Sequence, residues 1–115
     1  MTIKNIEFLA VSVVMAVNRG GPFLREAIDS ITSQSYKEFE FLIAVNGPDH
    51  SLFDEVQRYL NGDPRAKVYR TGLQQLSYNL NFLVNEASND LIIRMDGDDI
   101  SVPDRFYHLV DFMNN

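Results

Sequence analysis

The chain has 115 residues, 45% of them hydrophobic and 23% charged, and no cysteine, which fits one domain with one core and excludes a disulfide framework or a thiolate metal site. Ten Lys and Arg against 16 Asp and Glu give a formal net charge of −6, and the basic residues form no stripe, so nucleic acid is not an expected partner. The lack of cysteine fits a reducing compartment, with the cytoplasm expected and the inner face of a membrane as an alternative for a full-length protein.

Residues 8–17 form the first apolar run. It is about 10 residues long, half the ~20 needed to span a bilayer, and it lacks the basic lead of a signal peptide. From Phe8 to Val17 it is rich in Val and Ala with little polar alternation, the pattern of a strand covered on both faces. Pro22 then suits the first turn of a helix, because its missing N–H would be unpaired there anyway. Leu24, Ala27, Ile28 and Ile31 make that helix's apolar face, and it is expected to end near Gln34.

Glu40 to Val45 reads as a second strand stopped by Asn46-Gly47-Pro48, followed by a helix through Leu52, Val56, Tyr59 and Leu60 with Gly62 as its stop. Lys67 to Tyr69 is a weak third strand. Leu73, Leu76, Leu80, Leu83, Val84 and Ala87 then recur at helical spacing. Leu91 to Met95 is the fourth strand. A last helix is expected to open at Ser101-Val102-Pro103-Asp104, with Ser101 as cap, and to bury Phe106, Leu109, Val110 and Met113. Tyr and Phe at helical spacing are assigned to the core.

Four strand-helix alternations predict an α/β fold with a parallel sheet, right-handed crossovers and helices on the sheet's faces. Ligands of such sheets bind beyond the carboxyl ends of the strands. Asn18 to Gly21, Asn46 to Ser51, Arg70 to Gly72 and Asp96 to Asp99 each follow a strand, so they should share one edge.

Asp96-Gly97-Asp98-Asp99 carries the strongest chemical signal. Three carboxylates in four residues repel one another unless solvent, protons or a cation relieves them. Mg²⁺ and Mn²⁺ prefer oxygen ligands, and Mg²⁺ takes only one or two protein carboxylates, leaving positions for water and diphosphate oxygens. The bland alternative is a solvated acidic turn before a helix. An EF-hand loop is excluded, because Ser101 and Tyr107 stand where Gly and Glu are required. A receiver domain would need acidic residues where Asn18-Arg19-Gly20-Gly21 stands, and no Walker phosphate loop is present. Gly20-Gly21 is either a phosphate cradle or a turn. Arg70 could reach a diphosphate or be a solvated edge residue, and Arg94 is a basic candidate or an ion-pair partner of the carboxylates. His50 and His108 receive no role.

Val11-Ser12-Val13-Val14-Met15-Ala16, Phe23 to Ile31 with Gln34-Ser35-Tyr36, Phe39 to Val45, Leu76 to Asn81, and Arg94 to Phe106 together resemble the amino-terminal part of family 2 glycosyltransferases. The resemblance implies a three-layer α/β/α, Rossmann-like A-type fold and inverting transfer from a UDP-, GDP- or dTDP-linked sugar to a sugar, lipid or protein acceptor. It implies a donor site from Ala16, Val17, Asn18, Asn46, Gly47, Arg70, Asn81, Asp96, Gly97 and Asp98, with Mn²⁺ or Mg²⁺ on Asp98, Asp96 and Asp99. Two positions depart from the family: Val17-Asn18 lacks the aromatic common beside the base, and Asn46 stands for an Asp. The resemblance further implies that the acceptor portion and the catalytic base lie beyond Asn115. Rival readings are a non-catalytic nucleotide-binding or assembly domain and, less favoured, a metal-dependent phosphate enzyme.

Overall fold

The structure is a computed structural model that describes residues 9–47, 50–72 and 75–114. The expected strand start at Phe8, the Pro48 stop and the helical Leu73 lie outside the described residues. Eight elements alternate as expected: β1 Val11–Val17, α1 Leu24–Thr32, β2 Phe39–Asn46, α2 Ser51–Leu60, β3 Ala66–Thr71, α3 Leu76–Glu86, β4 Leu91–Arg94 and α4 Arg105–Asn114. The sheet order is β3-β2-β1-β4 and every pairing is parallel.

Strand periodicity divides the core into two. Val11, Val13, Met15 and Val17 of β1 face one way, with Phe41, Ile43 and Val45 of β2, and meet α1, α2 and α4. Val14, Leu42 and Ala44 face the other way and meet Leu83 of α3, so the architecture is three-layered, as expected of successive side chains on opposite sheet faces. Burying a side chain such as Phe41 or Ile43, each 0% exposed, contributes about 1.5–3 kcal/mol.

Local corrections have local causes. Regular α1 begins at Leu24, not Pro22, because Pro22 and Phe23 form a turn in which the Leu24 N–H donates to the Gly21 carbonyl at 3.3 Å. At the end of α2, Asn61 takes the left-handed conformation (φ 50°) ahead of Gly62 (φ 76°). Ser101 does not cap α4. It is buried, its N–H donates to Ser30 Oγ at 3.0 Å, and α4 starts four residues later, after the turn through Pro103. On α3, Leu76 and Val84 are 50% and 46% exposed while Asn79 and Leu83 are buried. The helix seats its 79–83 row on β1 and β2 with Leu80 packed partly buried beside it, and Leu76 and Val84 lie outside that contact. Met113, Phe112 and Tyr78 are likewise exposed, contrary to the core assignment. Among the described residues no helix is long and apolar enough to cross a membrane.

Polar contacts close the loops. Glu40 Oε2 accepts from Ser12 Oγ and from the Ser88 N–H, both at 2.6 Å, and Asn89 donates to Ser12 Oγ from its N–H at 3.2 Å and its Nδ2 at 3.1 Å. This pins the α3–β4 connection to the start of the sheet. Arg65 grips Asp63 with Nε at 3.0 Å and Nη2 at 2.7 Å, and stacks on the Phe39 ring at 4.3 Å.

Leu83→Ala should cost about 2–5 kcal/mol in urea unfolding, whereas Val84→Ala should stay within about 0.5 kcal/mol; equal losses would contradict the seating of α3. The hydrogen bonds from Arg65 hold the Asp63 carboxyl below its ordinary pKa of 3.8. Folding therefore favours the charged form, and that stabilisation is present above the ordinary value and lost as pH falls through the lower folded one. The stability gap between wild type and Asp63→Asn should accordingly shrink in urea titrations below about pH 3.8, and a gap constant across acid pH would refute the assignment.

Candidate functional site

The chain runs outward from β1 to β2 to β3 and then returns to place β4 on the free side of β1. The strand order reverses between β1 and β4, and in an open α/β sheet the crevice beyond the carboxyl ends at such a reversal is where ligands bind. A cleft of about 360 Å³ lies there, lined by Ala16, Val17 and Asn18, by the connection from Arg19 to Leu24, and by Gly97 and Asp98. A second cleft of about 240 Å³ shares Ala16, Val17 and Asn18 and continues to Gln75, Leu76 and Asn79 at the start of α3. The carboxyl end of β1 is thus the floor of one trough with a wall on each side.

Five of the expected donor-site residues meet there: Ala16, Val17, Asn18, Gly97 and Asp98. The others stand apart from both clefts. Asn46 is buried, and its Nδ2 donates to the Thr71 carbonyl at 3.1 Å and to Thr71 Oγ1 at 3.3 Å, which ties the ends of β2 and β3 together. Gly47 follows it, and Arg70 is exposed on β3 opposite Val45. Asn81 is exposed on α3, while Asn79 lines the cleft; two residues are about 200° around a helix, so only one of them can face the trough. Asn79 carried no motif, although its position one turn into a helix that starts at the sheet edge could have marked it. Phe23, 53% exposed on the cleft wall, was masked by its apparent place on a core-facing helix.

The acidic turn is organised by its own hydrogen bonds. The Asp99 N–H donates to the Asp96 carbonyl at 3.0 Å, and the Asp96 N–H donates to Asp99 Oδ2 at 3.3 Å. Arg94 Nε pairs with Asp96 Oδ1 at 3.2 Å, both side chains being 52% exposed, so that pair contributes little. Asp98 is the carboxylate that lines the cleft, and it is exposed to water. Among the described residues no three His, Asp or Glu side chains come together as a metal-binding group. Of the expected set, Asp96 is paired with Arg94 and Asp99 accepts from the backbone, while Asp98 faces the cleft.

Gly20 lies beside the Glu55 carboxylate. A Cβ there would lie 3.3 Å from Glu55 Oε2, whereas one at Gly21 would meet nothing within 4 Å. His50 packs edge-on against Phe53 and His108 is exposed on α4.

Residues 12–115 match the family model described as Glycosyl transferase family 2. The O-antigen biosynthesis glycosyltransferase WbnJ of Escherichia coli is 40% identical over 94 residues, covering 81% of this chain and 37% of that protein. The chain thus spans little more than a third of that curated relative. Among solved structures, S. aureus TarS 1–349 in complex with UDP superposes with a TM-score of 0.72 at 19% identity, covering 91% of this chain and 32% of that one. The mannosyltransferase PcManGT from Pyrobaculum calidifontis, in complex with GDP-Man and Mn²⁺, has a TM-score of 0.70 at 19% identity, covering 82% and 29%. At that identity the two structures speak for the A-type fold alone.

A Cβ at Gly97 would meet Val17 Cγ2 at 3.6 Å and Leu24 Cδ1 at 3.7 Å, ordinary contact distances. Gly97→Ala should therefore leave the unfolding free energy read from urea titration nearly unchanged, within about 1 kcal/mol. A larger loss would show that the fold, and not a ligand's approach, is what calls for glycine there.

Proposed function

The chain belongs to glycosyl transferase family 2, and from that premise we propose that it holds a nucleoside-diphosphate sugar across the carboxyl end of β1, for inverting transfer by the whole protein. The observation that carries the reading is the meeting of Asp98, Gly97 and Asn18 in one cleft at the reversal of strand order. The UDP complex of TarS and the GDP-Man and Mn²⁺ complex of PcManGT support it, as solved neighbours of the same fold.

In this reading Asn18 and Asn79 offer amide donors and acceptors along the trough to the nucleoside. Asp98, with Asp96 two residues away, supplies hard carboxylate oxygens. Both are exposed, which fits an open site where a cation keeps water and takes further oxygens from the substrate, and does not fit a closed protein cage. Bound Mn²⁺ or Mg²⁺ would supply positive charge against the departing diphosphate.

The reaction forms a bond from an acceptor hydroxyl oxygen to the anomeric carbon as the carbon–oxygen bond to the diphosphate breaks on the opposite face. The hydroxyl proton passes to a base, and nucleoside diphosphate leaves. No residue of this chain is assigned as that base. Acidic Asp98 and a net charge of −6 make diphosphate binding unfavourable without a cation, so this reading requires the metal and the nucleotide to bind together.

Calorimetry with UDP, GDP and dTDP in the presence of Mn²⁺ should detect binding of at least one. Asp98→Asn should weaken it roughly tenfold or more with Mn²⁺ and change little under chelator. Equal loss under both conditions would assign Asp98 to the fold, and no binding of any nucleotide would sink the donor-site reading.

A further inference from the structure

The acidic turn is held at both of its ends. On one side the Met95 N–H donates to the Val14 carbonyl at 2.9 Å, the last ladder bond beside β4. On the other side the fastening comes from a residue 68 positions earlier. Gln34 is 0% exposed. Its Nε2 donates to the Val102 carbonyl at 2.7 Å and to the Ser30 carbonyl at 3.0 Å, and its Oε1 accepts from the Phe106 N–H at 2.9 Å.

Both amide protons and the amide oxygen are therefore used, in a site where an unmet polar group would be destabilising. The same junction is closed by Ser30 Oγ, which accepts from the Ser101 N–H at 3.0 Å, and by the Ser35 N–H, which donates to the Pro103 carbonyl at 2.9 Å. Gln34 follows the end of α1, and Leu24 at the start of α1 lies beside Gly97. One helix thus seats the turn at its first residue and anchors the turn's exit just past its last.

We propose that Gln34 is a positioning residue for the acidic turn, setting where Asp98 stands in the cleft through Val102 and Phe106 without touching any ligand. The inference rests on the donor-site reading for its consequence, since a carboxylate displaced by an ångström loses its hold on a cation, but not for its structural content. A glutamate at this position would face two carbonyls with a charge, and an apolar side chain of the same length would leave the Val102 carbonyl and the Phe106 N–H unmet.

The test compares Gln34→Met with wild type in the full chain. Amide exchange followed by NMR without ligand should accelerate roughly tenfold at Asp96 and Asp99, beyond the factor common to the β1 and β2 amides. Acceleration confined to Phe106, or by one factor throughout the chain, would overturn the proposal. Titration with Mn²⁺ and UDP or GDP should then show binding weakened roughly 10–100-fold, the range for supports of metal ligands; unchanged affinity would overturn it also. Ser30→Ala, which removes the acceptor for the Ser101 N–H together with the hydroxyl's own bond to the Ala27 carbonyl within α1, should act in the same direction more weakly and serves if Gln34→Met does not fold; no change at Asp96 and Asp99 in the foldable variant refutes positioning. If wild type binds neither nucleotide with Mn²⁺, the donor-site reading fails, while the exchange comparison still decides the role of Gln34.

Discussion

Seven residues of β1 are paired to β2 along their whole length and to β4 along their first half, and both faces of the strand are covered. That double constraint organises the rest of the molecule. A strand hydrogen-bonded on both edges and packed on both faces has freedom only at its ends. Its carboxyl end emerges where β4 stops short: β4 pairs as far as Val14 opposite Arg94, so Ala16, Val17 and Asn18 run on beside a gap. The cleft occupies that gap. Val17 and Leu24 form its apolar floor, and the turn after β4 bends across it.

The chain reaches this place from three directions. The connection after β1 supplies Asn18 and Phe23, the turn after β4 supplies Gly97 and Asp98, and the start of α3 supplies Gln75 and Asn79. The acidic turn is bonded within itself and tied off by Gln34 and Ser30. The end of β2 is tied to β3 through Asn46. Electrostatics follow the same division: Arg94 and the backbone relieve Asp96 and Asp99, while Asp98 is left facing water and the cleft.

Much of this was legible in the residues. Val-rich β1 and apolar β2 read as strands because each is a short continuous apolar run followed by turn residues, and Leu24, Ala27, Ile28 and Ile31 marked their helix by spacing alone. The acidic cluster announced itself by charge density, and its position after the last strand put it on the correct edge. Less legible were the faces of α3 and α4. Leu76, Val84 and Met113 have the right spacing for burial, but spacing says only that residues share a face and not whether a layer exists for that face to meet. Asn81 and Asn79 show the same limit, because either could have been the inward amide until the helix was seated.

Local chemistry, then, is what the sequence determined by itself: strand and helix alternation from periodicity, parallel pairing from that alternation, and a carboxylate-rich turn at the strands' ends. These depend on neighbours a few residues apart, whose relation the covalent chain already sets. Tertiary structure decided which side chains meet. Strand order placed β4 beside β1 and so brought Asp98 to Asn18, 80 positions away in the chain. Gln34 found Val102 across 68 residues. Such pairings follow from which faces pack and which edges bond, a choice made by the burial of the whole core at once and written in no single segment.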